Sequence, residues 1–283
     1  TISRYCILQN RRLSSLNRIL MAGAPIPGEL LERFERILKP ESKIHTPYGA
    51  TEALPVTTIE RKKVLEVTLK KTQQGYGTCV GRSVPNIVIK IIKIKDDVIP
   101  QWDDTLELLH GEIGEIVVKG PWVTQHYFNR DEATRLAKIS DKGNSFWHRM
   151  GDVGYLDEQN RLWFCGRKSQ RVRTADGTLF TVQCETVFNS HPKVKRSALV
   201  GVGEAGNQRP VIIIEPENLN DMTSDFVRKE FIKDLLELGS RYDHTCKIKD
   251  ILMHPGFPVD IRHNAKIFRE QLAQWATNKV PGV

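Results

Sequence analysis

The sequence has no Cys-x-x-Cys pair, no apolar run longer than a strand, no internal repeat and no low-complexity tract. Each absence closes a class. Five cysteines, at positions 6, 79, 165, 184 and 246, are an odd number without metal-ligand spacing. Free thiols in a reducing compartment, the cytoplasm, are the simplest reading. The most apolar stretch, Val211 to Ile214, falls far short of the roughly 20 residues that span a bilayer, so no membrane-spanning helix is expected. There is no initiator Met and no basic-then-apolar leader, as expected of a cut chain. Aromatic residues are missing from the densest basic stretch, GRKSQRVR at 166–173, which argues against a single-strand nucleic-acid binder. What remains is a chain of 283 residues, 40% hydrophobic and 27% charged, long enough for about two globular domains. Its net charge of +8 favours anionic partners without selecting one.

Periodicity supplies the organisation. In GELLERFERIL, residues Leu30, Leu31, Phe34, Ile37 and Leu38 recur at helical spacing, and Pro40 stops the helix. KIHTPYGATEALP reads as a short strand emptying into a loop, because Pro47, Gly49 and Pro55 punctuate it. NIVIKIIKIK and GEIVVKG are β-rich and predict a small antiparallel sheet or barrel, with a third strand at Leu162–Cys165. After Gly166 the pattern changes. Helix at Gln183–Ser190, strands at Ser197–Val202 and Val211–Glu215, and the amphipathic SDFVRKEFIKDLLEL make an α+β domain. The expected division is residues 1–168 and 169–283, with Ser169 at the hinge.

Three segments join backbone-exposing glycines to polar side chains: YGATE at 48–52, RMGD at 149–152 and GRK at 166–168. Glycine lets a ligand approach the backbone, hydroxyl and amide groups hold phosphate oxygens, and a carboxylate holds Mg²⁺ or ribose hydroxyls. Taken singly, each is better read as ordinary turn chemistry.

Their order is more telling. MAGAPIP, YGATE, GEIGEIVVKGPWVTQHYFNR, WHRMGDVGYLDEQNRLWFCGRKSQRV and a late AKI resemble, in sequence order, the signature motifs of the AMP-binding superfamily of acyl-CoA synthetases, peptide-synthetase adenylation domains and luciferases. The resemblance covers nearly the whole chain, and the family's phosphate-binding Ser/Thr/Gly-rich loop would lie upstream of residue 1. It implies an α/β plus α+β fold: part of the large adenylate-forming domain with a small β-barrel-like sheet, then a mobile carboxy-terminal lid. It also implies an enzyme that joins a carboxylic acid to AMP from ATP with Mg²⁺, inactive as this fragment alone. Tyr48 would lie against adenine, Thr51 would meet the α-phosphate, and Glu52 would hold Mg²⁺. Gly23, Ala24 and Pro25, with Gly49 and Ala50, would border the nucleotide and acyl pocket. Asp152 would take the ribose hydroxyls, supported by Arg167, and Lys266 would bridge carboxylate and α-phosphate. A core aromatic at Tyr48, a surface ion pair at Arg167 and a plain turn at Gly23–Pro25 would look the same. His263 is read as a loop histidine.

Departures narrow the branch. Met150 stands where the family usually has Thr, Ser169 replaces the Asp or Lys hinge, and Ala265 replaces the Gly before the lysine. RVRTADG carries one extra residue before Gly177 relative to the loop that family members place along the pantetheine tunnel, which argues against CoA as acceptor. WHRMGD and FPVDIRHNAKIFRE resemble the bacterial olefin-biosynthesis branch of β-lactone synthetases, often labelled fatty-acid ligases or peptide synthases. The implied substrate is a long-chain β-hydroxy acid whose hydroxyl closes on the activated carbonyl, with olefin-biosynthesis enzymes as possible pathway partners. A fatty acyl-CoA or acyl-AMP ligase, a peptide-synthetase adenylation domain, and a non-catalytic remnant that only binds nucleotide are the alternatives.

Overall fold

The computed structural model describes residues 2–260 and 266–280, the side chains of 221 and 222 aside. His263 and Ala265 lie outside the described residues. The chain divides into two units, Thr1–Lys70 with Thr78–Phe164, and Lys71–Gly77 with Cys165–Val283.

In the first unit, helix α1 (Ile2–Leu8) precedes strand β1 (Arg18–Leu20) and helix α2 (Gly28–Ile37). Strands β2 (Lys43–Ala50) and β3 (Ala53–Glu60) follow, then short helices α3 (Arg61–Lys63) and α4 (Leu69–Gln73) with a π-helical segment between them. The chain continues through β4 (Thr78–Ser83), β5 (Val88–Ile92), β6 (Gly114–Lys119), helix α5 (Asp131–Ala137), β7 (Lys138–Asp141), β8 (Ser145–Leu156) and β9 (Leu162–Arg167); the ends of α4 from Lys71 and of β9 from Cys165 are counted with the second unit. These strands make one sheet in the order β1-β2-β3-β4-β9-β8-β6-β5, with β7 paired to β8. β1 and β2 are parallel and the other paired registers are antiparallel.

The barrel-like closure expected of this region does not form, because the outer edge of β5 is already capped. The Leu108 N–H donates to the Ile91 carbonyl and the Lys93 N–H to the Leu106 carbonyl, both at 2.9 Å. The sheet is therefore open. Alternation along β5 and β6 buries Ile91, Ile116 and Val118 with Met150 and Leu162 in one cluster, and Ile92 and Val117 with Trp147 in another.

The loop expected after His45 is also different. Strand β2 runs through Pro47 and Gly49, and Ala50 pairs with Ala53, leaving Thr51 and Glu52 as a two-residue hairpin turn. The register shifts between Tyr48 and Ala50, so Leu54, Pro55 and Val56 bulge opposite Gly49. That bulge accommodates Pro55, which has no N–H to give a ladder. A Cβ on Gly49 would stand 2.4 Å from the Ala53 carbonyl oxygen, so only glycine fits the closing turn.

The second unit holds hairpin β10 (Val172–Thr174) and β11 (Gly177–Leu179), helix α6 (Thr181–Phe188), strands β12 (Val194–Val202) and β13 (Arg209–Pro216), helix α7 (Asp225–Ser240), strand β14 (Asp250–Met253) and helix α8 (Arg269–Thr277). β13 is central, antiparallel to β12 and parallel to β14. Period-two alternation sends Ile212 and Ile214 toward α6 and α7, and Val211 and Ile213 toward α8. All four are fully buried, which explains a continuous apolar run where a one-faced strand would alternate. Each contributes about 1.5–3 kcal/mol. All five cysteines are free, and burial raises the Cys79 thiol to about 11, the state of an inert packing residue. Among the described residues, no helix is long and apolar enough to cross a membrane.

Candidate active site

The β2–β3 hairpin presents Tyr48, Thr51 and Glu52 at its tip. Thr51 is exposed and Glu52 half-buried. The loop after β6 packs on this tip: the Thr124 N–H donates to the Glu52 carbonyl at 2.8 Å, and the Trp122 indole N–H donates to the Pro55 carbonyl at 3.2 Å. Tyr127 Oη then donates to Glu52 Oε1 at 2.7 Å, while the Tyr127 N–H is held by Thr134 Oγ1 on α5 at 3.0 Å. Glu52 is thus fixed at its main chain and at one carboxylate oxygen.

Electrostatics keep that carboxylate charged. Burial alone would raise Glu52, but the Tyr127 hydroxyl, its own backbone, His148 and Lys138 outweigh burial, and its pKa falls below the ordinary value. Burial, and then the same bond, push Tyr127 up to about 12. Lys138 donates to the Thr124 carbonyl, and burial lowers it to about 8 despite the attraction of Glu52. His148 is nearly inaccessible and pushed down to about 4 by burial and then by the Lys138 charge.

Asp152 lies on the other side of the sheet sequence, in β8. Gly151 before it sits at φ +67, a left-handed turn inside the strand that a β-branched residue would strain. Asp152 is 4% exposed, and Tyr48 Oη donates to its Oδ2 at 2.7 Å. The Tyr48 ring leans on Phe164, centroids 5.9 Å apart at 43°. Met150 turns its side chain into the core.

Gly23, Ala24 and Pro25 fall in the loop after β1, where the Met21 N–H still donates to the His45 carbonyl at 3.0 Å. Because β1 and β2 are parallel, this loop and Tyr48 lie beyond the same, carboxyl end of the pair, the usual ligand side of such strands. Tyr48, Glu52 and Asp152 are therefore gathered within one unit.

The remaining candidates belong to the second unit. Arg167 ends β9 and is exposed, and Ser169 is exposed in the 3-10 turn Lys168–Gln170. Lys266 is exposed, and its carbonyl accepts the Asp260 N–H at 3.0 Å beside the Val259–Ile267 bridge.

Residues 4–128 match the family model described as AMP-binding enzyme. The matched segment belongs to this family. It is 49% identical to an olefin beta-lactone synthetase of Xanthomonas campestris over 91% of this chain and 46% of the relative. A second olefin beta-lactone synthetase, from Stenotrophomonas maltophilia, is 44% identical over 98% of this chain and 50% of its own. The chain spans about half the length of these curated relatives. In fold it is similar to an amide bond synthetase from Marinactinospora thermotolerans, with TM-score 0.74 and 21% identity over 96% of this chain and 50% of that one.

Around the hairpin stand side chains that the sequence alone leaves unassigned: Thr124, Tyr127, Lys138 and His148. Tyr127 stood within GEIGEIVVKGPWVTQHYFNR but had no spacing to mark it. Lys138 and His148 gain their properties from burial, which a sequence does not print.

Proposed function

We propose that this chain is the carboxy-terminal part of a cytoplasmic enzyme that activates a carboxylic acid as acyl-AMP, and that the acid is a long-chain β-hydroxy acid then closed to a β-lactone. The observation that carries this reading is the near-half identity to olefin beta-lactone synthetase across nine-tenths of the chain. The gathering of Tyr48, Glu52 and Asp152 supports it. Residues 1–168 would form part of the large domain, and 169–283 the lid, with Ser169 as hinge. The change of unit between Phe164 and Cys165 supports that division.

In the first step a carboxylate oxygen attacks the α-phosphorus of ATP, the bond to the bridging oxygen breaks, and pyrophosphate leaves. Tyr48 offers adenine an aromatic face, and its hydroxyl holds Asp152 for the ribose hydroxyls. Arg167 supports the same sugar. Thr51 donates to the α-phosphate, and the backbone of Gly23, Ala24, Pro25, Gly49 and Ala50 borders the pocket. Lys266 neutralises charge gathering on the phosphate and carboxylate oxygens. Glu52 fits Mg²⁺, because it is an ionised hard-oxygen donor with one oxygen already fixed by Tyr127, and Mg²⁺ takes one or two carboxylates plus substrate phosphates. When bound, the ion supplies charge neutralisation to the departing pyrophosphate.

In the second step the β-hydroxyl oxygen attacks the acyl carbonyl, a C–O bond forms, AMP leaves and the hydroxyl proton passes to solvent. Intramolecular attack is worth about 7–11 kcal/mol in effective concentration, so no thiol acceptor is required. The test is the full-length protein with ATP and a panel of acids, with and without CoA. Pyrophosphate and β-lactone are expected. A CoA thioester without lactone would support an acyl-CoA ligase instead, and no pyrophosphate with any acid would overturn adenylation.

A further inference from the structure

Two buried carboxylates grip the chain on either side of Lys266. On the carboxyl side, Arg269 begins α8 and forms a forked pair with Glu185 of α6, Nη2 to Oε2 at 2.7 Å and to Oε1 at 2.9 Å. Glu185 is 6% exposed, and its Oε1 also accepts the Leu199 N–H of β12 at 2.9 Å. On the amino side, Glu215 of β13 is 3% exposed, and its Oε2 accepts the Phe257 N–H at 2.9 Å. Lys195 and Arg196 fix the same carboxylate at 2.6 and 2.5 Å. Between these anchors the stem is closed by the Phe268 N–H donating to the Pro258 carbonyl at 2.9 Å and by the Asp260 N–H donating to the Lys266 carbonyl at 3.0 Å.

Folding α8 onto the sheet does not require this arrangement. Leu272 and Ala276 already bury the helix against β12 and β13. A buried ion pair adds little net stability over an apolar pair of the same shape, because both charges must be desolvated, but a forked Arg–carboxylate pair fixes orientation. Here it fixes the residue three positions after Lys266, while Glu215 fixes the backbone at Phe257, ahead of it.

We infer that Glu185, through Arg269, and Glu215, through the Phe257 N–H, are positioning residues that hold the segments Phe257–Asp260 and Lys266–Arg269 so that Lys266 is presented in one geometry for acyl-adenylate formation. The inference rests on the proposed role of Lys266.

A double-mutant cycle in the full-length protein tests it. Glu185→Gln keeps the shape of the side chain and removes its charge. At saturating ATP and β-hydroxy acid it should slow pyrophosphate release about 10- to 100-fold, the scale of a displaced reacting group. ATP affinity by calorimetry and lactone closure from supplied acyl-adenylate should change by less than about twofold, since the interaction acts on the first chemical step. In a Lys266→Ala background the same substitution should add almost nothing, because two residues acting through one group are not additive. Equal slowing in both backgrounds would make Glu185 merely structural and overturn the inference. So would a wild-type rate for Glu185→Gln beside a slow Lys266→Ala. A wild-type rate for Lys266→Ala would instead remove the lysine from the chemistry, and the inference with it. Should Glu185→Gln fail to fold, Arg269→Lys carries the same cycle, because a single ammonium cannot make the forked pair.

Discussion

The Tyr48 hydroxyl donates to the Asp152 carboxylate at 2.7 Å across 104 residues of sequence. One comes from β2, a member of the parallel pair, and the other from the longest strand of the antiparallel part, so the bond joins the two regions of the first unit's sheet. It also ties an aromatic face to a buried acid, the pairing that a nucleoside with its base and two ribose hydroxyls would need.

Asp152→Asn in the full-length enzyme keeps an oxygen for Tyr48 and removes the charge. Hydrogen bonds to a charged acceptor contribute about 1.5–3 kcal/mol, so ATP should bind roughly 10- to 100-fold more weakly while preference among acids is retained. Calorimetry with ATP and competition between acids measure the two effects. Unchanged ATP affinity in a folded variant would remove Asp152 from the site.

Tyr127→Phe deletes the one hydroxyl that fixes Glu52 Oε1 and leaves the ring in place. The carboxylate should then swing and be less acidic, and Mg²⁺-dependent ATP binding should weaken by about tenfold, one charged hydrogen bond's worth. A calorimetric Mg²⁺ titration at fixed ATP reads this without turnover. A wild-type Mg²⁺ dependence would show that Glu52 needs no such support.

His148 gives the first unit a defined pH response. Its Nδ1 donates to the Ala137 carbonyl at 3.2 Å, Lys138 and Glu52 are the charges facing it, and its pKa falls from 6.5 to about 4. Below 6.5 the unfolded chain takes a proton that the folded one refuses. Stability from the neutral imidazole is therefore full above 6.5 and is lost as pH falls toward 4, by ~2 kcal/mol at pH 5. Urea unfolding at pH 7 and pH 5 should show a smaller drop for His148→Gln than for wild type. His191, His244 and His254, also lowered by burial, contribute equally to both proteins and cancel. Equal drops would place the acid sensitivity elsewhere.

Elements with a clean period were legible. α2 and α7 follow their helical spacing, and the run Val211–Ile214 is the buried central strand that its β-branched residues predict. β8 was not legible as a strand, because Gly151, Asp152 and Gly154 interrupt any alternation, and its Arg149 is buried in a forked pair with Glu115 at 2.8 and 3.0 Å and in bonds to the Lys95, Asp97 and Leu136 carbonyls. Motif order pointed to Tyr48, Glu52 and Asp152 but not to Tyr127, whose bond to Glu52 spans 75 residues and depends on how the loop after β6 folds back. Sheet closure was misjudged for a similar reason, since the segment that caps β5 has no strand pattern of its own.

Lys266 makes the most demanding prediction. It stands exposed at the end of a stem closed by two backbone hydrogen bonds, three residues before a helix, and no feature of its local sequence separates it from a solvated surface lysine. If its role is to meet charge as it moves onto the bridging and α-phosphate oxygens, its interaction is made mainly in the transition state. Lys266→Ala should then lower the rate of pyrophosphate release without a matching rise in the apparent KM for ATP. Removing one preorganised donor costs about 2.7–4 kcal/mol, on the order of a hundred- to a thousand-fold in rate. Lys266→Arg should rescue poorly, because a planar guanidinium cannot place a compact charge between two oxyanions. Full-length protein at saturating ATP and β-hydroxy acid gives the first rate, and a supplied acyl-adenylate gives lactone closure separately. Closure should proceed at the wild-type rate in Lys266→Ala, because the charge that the lysine meets arises only while pyrophosphate departs. If pyrophosphate release were also at the wild-type rate, another cation would have to be doing the work.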